Sequence, residues 1–450
     1  MTKLFGPVFV VSIFFFLGLM HHLRSFSIVF VGLILLVISQ TSIQQDLPIS
    51  RELVDSFGTD TLTNASSDTI RIRISSVGDI MAHQTQLTAQ KQEDGTYNFE
   101  NNFQYMQALF GSVDIMIGNL ETTFAGEEKG YSAYPQFNTP DALAAAIKKS
   151  GINLVATANN HTYDNGGEAM LRTLDVLHEN KLESIGTQKS IDEKNYVIRE
   201  VKGVKIGLAS YTYESGKNEQ GLKTINGLAV SKAHEPLLNS FDPYEPTADL
   251  KKMQEVVRKM KSDSAEFVVF VVHWGKEYMQ EPSKSQLEVA HALNTAGVDV
   301  IFGSHPHVVQ PIDFLVNDST DHVTFVAYSM GNFISNQRYE SVKNYNTEDG
   351  LFVGVEFIKL GNQSPQLHKV FYEPTWVNRY KKSEKYIFEV VPARLACKSL
   401  DAYNIFNAAT ESRVSASNRR TINLVELPLS SDSEKYFARY LISHKSELAE

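Results

Sequence analysis

The sequence predicts an α/β fold, a layered sheet core flanked by helices, and three observations carry that prediction. From Ile70 onward short apolar runs alternate with helical patterns. One of those runs, Phe267-Val-Val-Phe-Val-Val, is apolar at every position. Five of the runs end in Asp, Asn, Glu or His, and in open α/β sheets the ligand crevice lies outside the carboxyl ends of the strands. Strand–helix alternation on this scale places helices on the faces of a sheet.

The elements follow in order. Ile70-Arg-Ile-Arg-Ile-Ser-Ser-Val alternates with period two, as a half-buried strand does. Val113 to Gly118 is a second strand. Thr139-Pro140-Asp141 opens a helix over Ala142 to Ser150, with Thr139 as N-cap and Pro140 at the first helical position. Gly151 ends it, and Ile152 to Ala156 is the next strand. Gly167 to Asn180 carries Met170, Leu174 and Leu177 on one helical face. Strands are expected at Val204 to Ala209, Phe267 to Val272, Val298 to Phe302 and Val323 to Ala327. Helices are expected at Asp249 to Met260 and Ser285 to Thr295. After about Gly350 the pattern changes to strands at Leu351 to Ile358 and Tyr386 to Val391 and a helix over Asp432 to Leu448. Residues 336–450 are therefore set apart as an α+β accessory region behind a domain spanning 70–335. No internal repeat is present.

The amino terminus has a different character. Two apolar runs, Leu4 to Met20 and Phe26 to Ser39, flank the basic patch His21, His22 and Arg24. Each is shorter than the roughly 20 residues that span a bilayer comfortably. Three readings stand: two short membrane segments, one interrupted insertion element, or a signal sequence starting at Met20 with Phe26 to Ile38 as its apolar core. All make residues 1–43 a signal sequence or membrane anchor. The Ser-, Thr-, Asp- and Asn-rich stretch 44–69 reads as a polar tether. Lys3 and Arg24 favour a cytoplasmic leader, with the bulk of the chain membrane-anchored or exported and outside the cytosol.

Composition narrows the function. The chain has 450 residues, 42% hydrophobic and 21% charged, enough for a large domain and an accessory region. A net charge of −10 argues against nucleic acid as a partner, which would need a basic footprint. An anionic substrate would need a local cationic or metal site. The single cysteine, Cys397, excludes an intramolecular disulfide and a multi-cysteine metal site.

The chemistry sits at the strand ends: Gly78-Asp79, Gly118-Asn119-Leu120-Glu121, Ala158-Asn159-Asn160-His161, His273-Trp274-Gly275 and Gly303-Ser304-His305-Pro306-His307. Taken singly, each has a bland reading. Asp after Gly is ordinary turn chemistry, and a lone histidine is more often a hydrogen-bonded structural one. His273 is sharper, because a polar ring closing a wholly apolar strand needs a partner. Converging, these ligand types suit divalent first-row metals such as Zn, Mn or Fe, and they suffice for two ions sharing a carboxylate. Lys276, Glu277 and Asn332 are candidate substrate contacts, set against a solvated turn and a strand-closing residue respectively.

The order of these motifs resembles the dinuclear metallophosphoesterase superfamily. More closely, Gly78-Asp79-Ile80-Met81, Asn119-Leu120-Glu121, Asn159 to Asp164, His273 to Tyr278, Gly303 to Pro311 and Tyr328 to Phe333 resemble the CapA-type poly-γ-glutamate capsule proteins. The resemblance covers roughly Arg71 to Phe333. It implies a metallophosphoesterase-like core in which Asp79 and His307 serve one ion, Asn160, His273 and His305 serve the other, and Glu121 lies between. It also implies His161, beside Asn160, as the group that protonates the leaving group or steadies the transition state. Two departures stand out. Met81 occupies the place of the superfamily's second ligand, and His83 is offset from it. Asn119 stands where the superfamily has Asp, so either Asn119 or Glu121 bridges, with charge favouring the carboxylate; Asn119 is otherwise a substrate contact.

The expected activity is metal-assisted hydrolysis or transfer with two divalent ions, Mn, Zn or Fe. The resemblance implies an anionic envelope polymer such as poly-γ-glutamate as substrate, in synthesis, export or release, with the membrane and other capsule-synthesis proteins as partners. The alternatives are an extracytoplasmic phosphoesterase or nucleotidase and a non-catalytic membrane scaffold.

Overall fold

A computed structural model describes residues 69–445. The expected signal or anchor over 1–43, and all of the tether but Thr69, lie outside the described residues. Among the described residues no helix is long and apolar enough to cross a membrane.

The fold is a mixed α/β sheet core with helices. The first sheet begins with the parallel strands β1 (Thr69–Ile80), β2 (Ile115–Leu120), β3 (Leu154–Ala156) and β4 (Glu183–Ile185). The second contains β5 (Val197–Val201) and β6 (Val204–Tyr213); β7 (Gly216–Lys217), β8 (Lys223–Ile225) and β9 (Leu228–Ala229) form a small separate sheet. The second sheet continues with β10 (Ser240–Phe241), β11 (Phe267–His273), β12 (Val300–Ser304), β13 (Ile312–Asn317) and β14 (His322–Ala327), in the order β10-β6-β11-β12-β14-β13. The chain then returns to the first sheet. β15 (Asn332–Ile334) pairs with β1, and β16 (Asp349–Leu360), β17 (Gln366–Lys382) and β18 (Lys385–Pro392) extend it antiparallel, giving β18-β17-β16-β1-β2-β3-β4.

The two sheets pack face to face. Ile72, Ile74 and Ile117 from the first meet Ile206, Val269, Val271 and Phe302 from the second in one core cluster. The alternate residues of β11, Val268, Phe270 and Val272, pack with Met253, Val257 and Met260 of helix Thr247–Ser262 and Val289 and Leu293 of helix Lys284–Ala296. A strand between a sheet and a helical layer has no solvent face, which is why its sequence does not alternate. Full burial of each such side chain contributes about 1.5–3 kcal/mol.

Local signals explain the helix ends. Ser283 accepts a hydrogen bond from the Gln286 amide in a capping box, and Gly297 closes that helix at φ +83°. Helix Ala142–Ser150 stands as expected and ends at Gly151 with φ +106°. Its N-cap, however, is Asp141, because Pro140 closes a preceding turn through its carbonyl to Leu143 N.

Residues 349–392 add three strands to the sheet that β1 begins. Arg71 and Arg73 both reach Glu356 across the β1–β16 ladder, at 2.8 and 2.7 Å. Helix Ala408–Val425 is tied to β16 by a bidentate Arg420–Asp349 pair. The carboxyl-terminal helix runs from Ser431 to Tyr440, and Leu441 then bridges to Val370, so the helical pattern stops short of Leu448.

All this positions one edge. The parallel strands of both sheets deliver their carboxyl ends to the same place, with Asp79 beside Asn119 across β1–β2 and beside Asn332 across β1–β15. The close approach of β1 to the turn before β15 explains Gly78. A Cβ there would lie 1.8 Å from Gly331 O, and the β1–β2 register shifts between Val77 and Asp79. Bulges of this kind re-aim side chains next to functional sites.

Candidate metal centre

The expected ligands converge. His307 Nδ1 lies 3.0 Å from Asp79 Oδ2, and Asn119 Nδ2 donates to Asp79 Oδ1 at 2.8 Å. The same Asn119 amide lies 3.2 Å from His273 Nδ1, and His273 Nε2 lies 2.9 Å from Asn160 Oδ1. These contacts link the two sheets. Glu121 is at the centre: its Oε1 is 3.7 Å from His273 Nε2, 3.8 Å from His307 Nε2 and 3.9 Å from His161 Nε2. All of these residues are buried.

Two groups of ligand atoms draw close enough to share an ion: Glu121, His305 and His307, and Asp79, Glu121 and His273. The groups overlap at Glu121. The implied pairing of Asp79 with His307 is present as a 3.0 Å contact, and the His273 and His305 rings lie 4.8 Å apart, while the close groups also set His307 with His305 and Asp79 with His273. Asn119 stands between Asp79 and His273 as an amide bridge.

Polar satisfaction tests whether a metal fits. Both carboxylate oxygens of Glu121 and the Nδ1 of His305 are buried without a hydrogen-bond partner. Orphaned buried carboxylate oxygens are costly and rare. Carboxylate, imidazole and amide oxygen together form a donor set suited to Mn, Zn or Fe. The residues fit a divalent cation. Electrostatics agrees. Burial, then the neighbouring Asp79, raises the Glu121 carboxyl well above its ordinary range, with Glu277 and Asp164 adding to the effect. Burial, then His305, His307 and His161, pushes His273 well below the usual imidazole value; burial, then His307 and His161, does the same to His305. The neutral imidazole is the form that binds a metal, and a cation at the centre would favour the charged Glu121.

The loop after β12 holds its rings in an uncommon backbone. His305 and His307 have φ of +100° and +57° around Pro306. Non-glycine residues in that region cost on the order of 1–3 kcal/mol each and cluster at functional sites. Asn332 sustains the loop, its Nδ2 donating to His307 O at 3.3 Å and Thr347 O at 3.0 Å. It is buried, beneath the ligand loop. Lys276 and Glu277 are exposed on the turn after β11. That turn is fixed by Tyr278 N donating to Pro306 O at 2.8 Å, and by buried Gln310 donating to the Met279 and Glu281 carbonyls.

His161 is oriented by a residue that sequence reasoning did not single out. Its Nδ1 lies 2.7 Å from Asp164 Oδ2, which also accepts the Phe137 N–H at 2.7 Å. A carboxylate acceptor puts the proton on Nδ1 and turns Nε2 toward Glu121. The signal available was the three-residue spacing within one loop. Tyr213 was missed too. Its ring lies 4.7 Å from that of His305 and stacks parallel to His273 at 6.3 Å. The Ser-Tyr-Thr-Tyr continuation of β6 past Ala209 was the available sign. Met81, the departure noted in the first motif, is a core side chain at 1% exposure.

The family model described as bacterial capsule synthesis protein PGA_cap matches residues 73–337, which include every one of these ligands. The chain belongs to this family. Among its relatives, the PGA biosynthesis protein CapA of Bacillus subtilis (strain 168) is 29% identical over 274 residues, 60% of this chain and 64% of that protein. The capsule biosynthesis protein CapA of Bacillus anthracis is 26% identical over 281 residues, 61% and 62% of the two chains. The match thus spans less than two thirds of the length of these curated relatives. Among solved structures, the NAD nucleotidase NadN of Haemophilus influenzae aligns over 80% of this PGA_cap chain and 62% of its own at 14% identity, with a TM-score of 0.40, a distant likeness of shape.

Proposed function

We propose that this chain is a metal-dependent hydrolase or transferase acting on poly-γ-glutamate or a similar anionic polymer of the cell envelope, during its synthesis, export or release. Glu121 carries the chemistry of the proposal: a fully buried carboxylate with both oxygens unpartnered, faced by three imidazoles at 3.7–3.9 Å. Family membership and the CapA relatives support the polymer. The motif order supports a metallophosphoesterase-like scaffold. Two overlapping ligand groups support a centre for two divalent ions, which Asp79, Glu121, His273, His305 and His307 would hold. The apolar amino terminus supports a chain anchored at a membrane or exported, working outside the cytosol beside other capsule-synthesis membrane proteins.

Such cations supply Lewis-acid activation of water and of a carbonyl oxygen. The chain's own residues do the rest. Asp164 holds His161 with Nδ1–H engaged and Nε2 aimed into the cluster, poised to move a proton. For an amide substrate, His161 Nε2 takes a proton from water as the water oxygen bonds to the carbonyl carbon, and passes it to the nitrogen as the C–N bond breaks, leaving a carboxyl group and an amine. Asn119 and Asn160 fix the orientations of Asp79 and His273.

The test loads the purified protein separately with Mn, Zn and Fe(II). Poly-γ-glutamate chain length is then followed by size exclusion, with p-nitrophenyl phosphate turnover in parallel. Metal-dependent shortening or transfer of the polymer is expected. Phosphate release with the polymer untouched would replace this reading with an extracytoplasmic phosphoesterase. Bound metal with neither activity would leave a scaffold.

A further inference from the structure

β6 runs parallel to β11 with Thr212 opposite His273, and Tyr213 follows as the last residue of β6. Its ring lies 4.7 Å from the His305 ring and stacks parallel to His273 at 6.3 Å, so the rings it meets are both candidate ligands. A phenylalanine would pack there equally well, and the packing therefore does not account for the hydroxyl. Tyrosine hydroxyls usually find a partner when taken out of water, and those around this one do. Tyr211, two residues back on β6, accepts from Asn195 Nδ2 at 3.4 Å. Tyr278, on the turn after β11, accepts from Gln337 Nε2 at 3.4 Å, and the Tyr163 hydroxyl lies 3.1 Å from His234 Nδ1. The Tyr213 hydroxyl has no hydrogen-bond partner among the described residues, and its side chain is only half-buried. Burial, then Glu277, Glu121 and Tyr244, raises its pKa above the usual phenol range, so the hydroxyl keeps its proton. Glu277 and Tyr244 are exposed and Glu121 is buried, which sets the hydroxyl between the surface and the ligand cluster. An ammonium or guanidinium in that place would be held by the two carboxylates. A neutral hydroxyl that bonds to neither keeps its donor for an incoming group.

We propose that Tyr213 is a substrate-binding residue of the metal centre, its hydroxyl donating a hydrogen bond to an anionic oxygen, carboxylate or phosphoryl, of the molecule bound there. The ring is set in place by the two imidazoles it packs against, so the donor stands beside the ligands before any substrate arrives. This inference rests on the metal-centre reading above, and its test keeps the two apart.

The full chain, loaded with Mn, is titrated calorimetrically with inorganic phosphate and with γ-L-glutamyl-L-glutamate, wild type beside Tyr213→Phe. The substitution keeps the ring on His305 and His273 and removes a single oxygen. The variant is expected to bind at least one of the two anions about tenfold more weakly, the loss typical of a hydrogen bond to a charged group. Metal content and melting temperature should match the wild type. The anion that loses affinity identifies the source of the oxygen. A hydroxyl with a purely structural role would instead lower the melting temperature and leave both affinities alone. Equal affinities in wild type and Tyr213→Phe, no binding of either probe to metal-loaded wild type, or a loss that tracks falling metal content and stability would each overturn the proposal. A wild-type chain that takes up no metal removes the metal-centre reading, and this inference with it.

Discussion

Glu121→Gln is expected to abolish the stabilisation that divalent metal confers on this protein. The substitution preserves shape and removes the charge at the point where both ligand groups overlap. In the wild type, metal at a hundredfold excess over its dissociation constant should add about 2.7 kcal/mol of stability, read as a rise in melting temperature. In the variant that rise should vanish. The metal-free form should be no less stable than the wild type, because a buried carboxylate without partners is itself costly. Thermal melts with and without Mn, Zn and Fe(II) separate the cases. An equal metal-induced rise in both proteins would remove Glu121 from the centre.

His161→Ala should separate turnover from metal binding. A positioned general acid contributes about a hundredfold to ten-thousandfold in rate, so turnover on the active substrate should drop by that order. Metal content should hold, since His161 belongs to neither ligand group. Asp164→Asn should lose part of that rate, because a neutral partner fixes the Nδ1–H tautomer less firmly. Asn160→Ala should lose metal and activity together, its Oδ1 being in contact with His273. If His161→Ala loses stability and metal in parallel with rate, the residue is a structural clamp on its loop. Unchanged activity and stability would deny it both roles.

Much of the site was legible because each ligand type follows directly on an apolar strand. The run before His273 admitted no other element, and the strand end fixed where the imidazole had to go. Asp79, Glu121, His273, His305 and His307 all come together on this principle. The facing of Asp79 and His307 followed from the resemblance and not from spacing. The grouping depends on how two sheets stack, and on the positive φ of His305 and His307, neither of which leaves a mark in spacing. Asn119 reads as a substrate contact in sequence; in the fold its amide is taken up by Asp79 and lies beside His273.

The carboxyl-terminal third was the least readable. β17 mixes polar and apolar residues over Gln366–Lys382 because it lies between two antiparallel neighbours, with only its middle buried. Helix Ala408–Val425 carries few apolar residues and is secured by Arg420–Asp349, an ion pair to a residue far away in sequence. His83 was noticed only by its offset from Asp79. In the fold its Nδ1 accepts from the Asn336 N–H, a residue far away in sequence.

The most direct test of the metal centre is elemental analysis of the purified chain, wild type beside His305→Ala and His307→Ala. Both residues lie past the end of β12, where loss of an imidazole leaves the apolar core intact. The account predicts a divalent first-row metal in the wild type, close to two ions per chain after loading. It predicts lower content in each variant at an unchanged fold. A folded wild type that takes up no metal, or two variants with full occupancy, would contradict it.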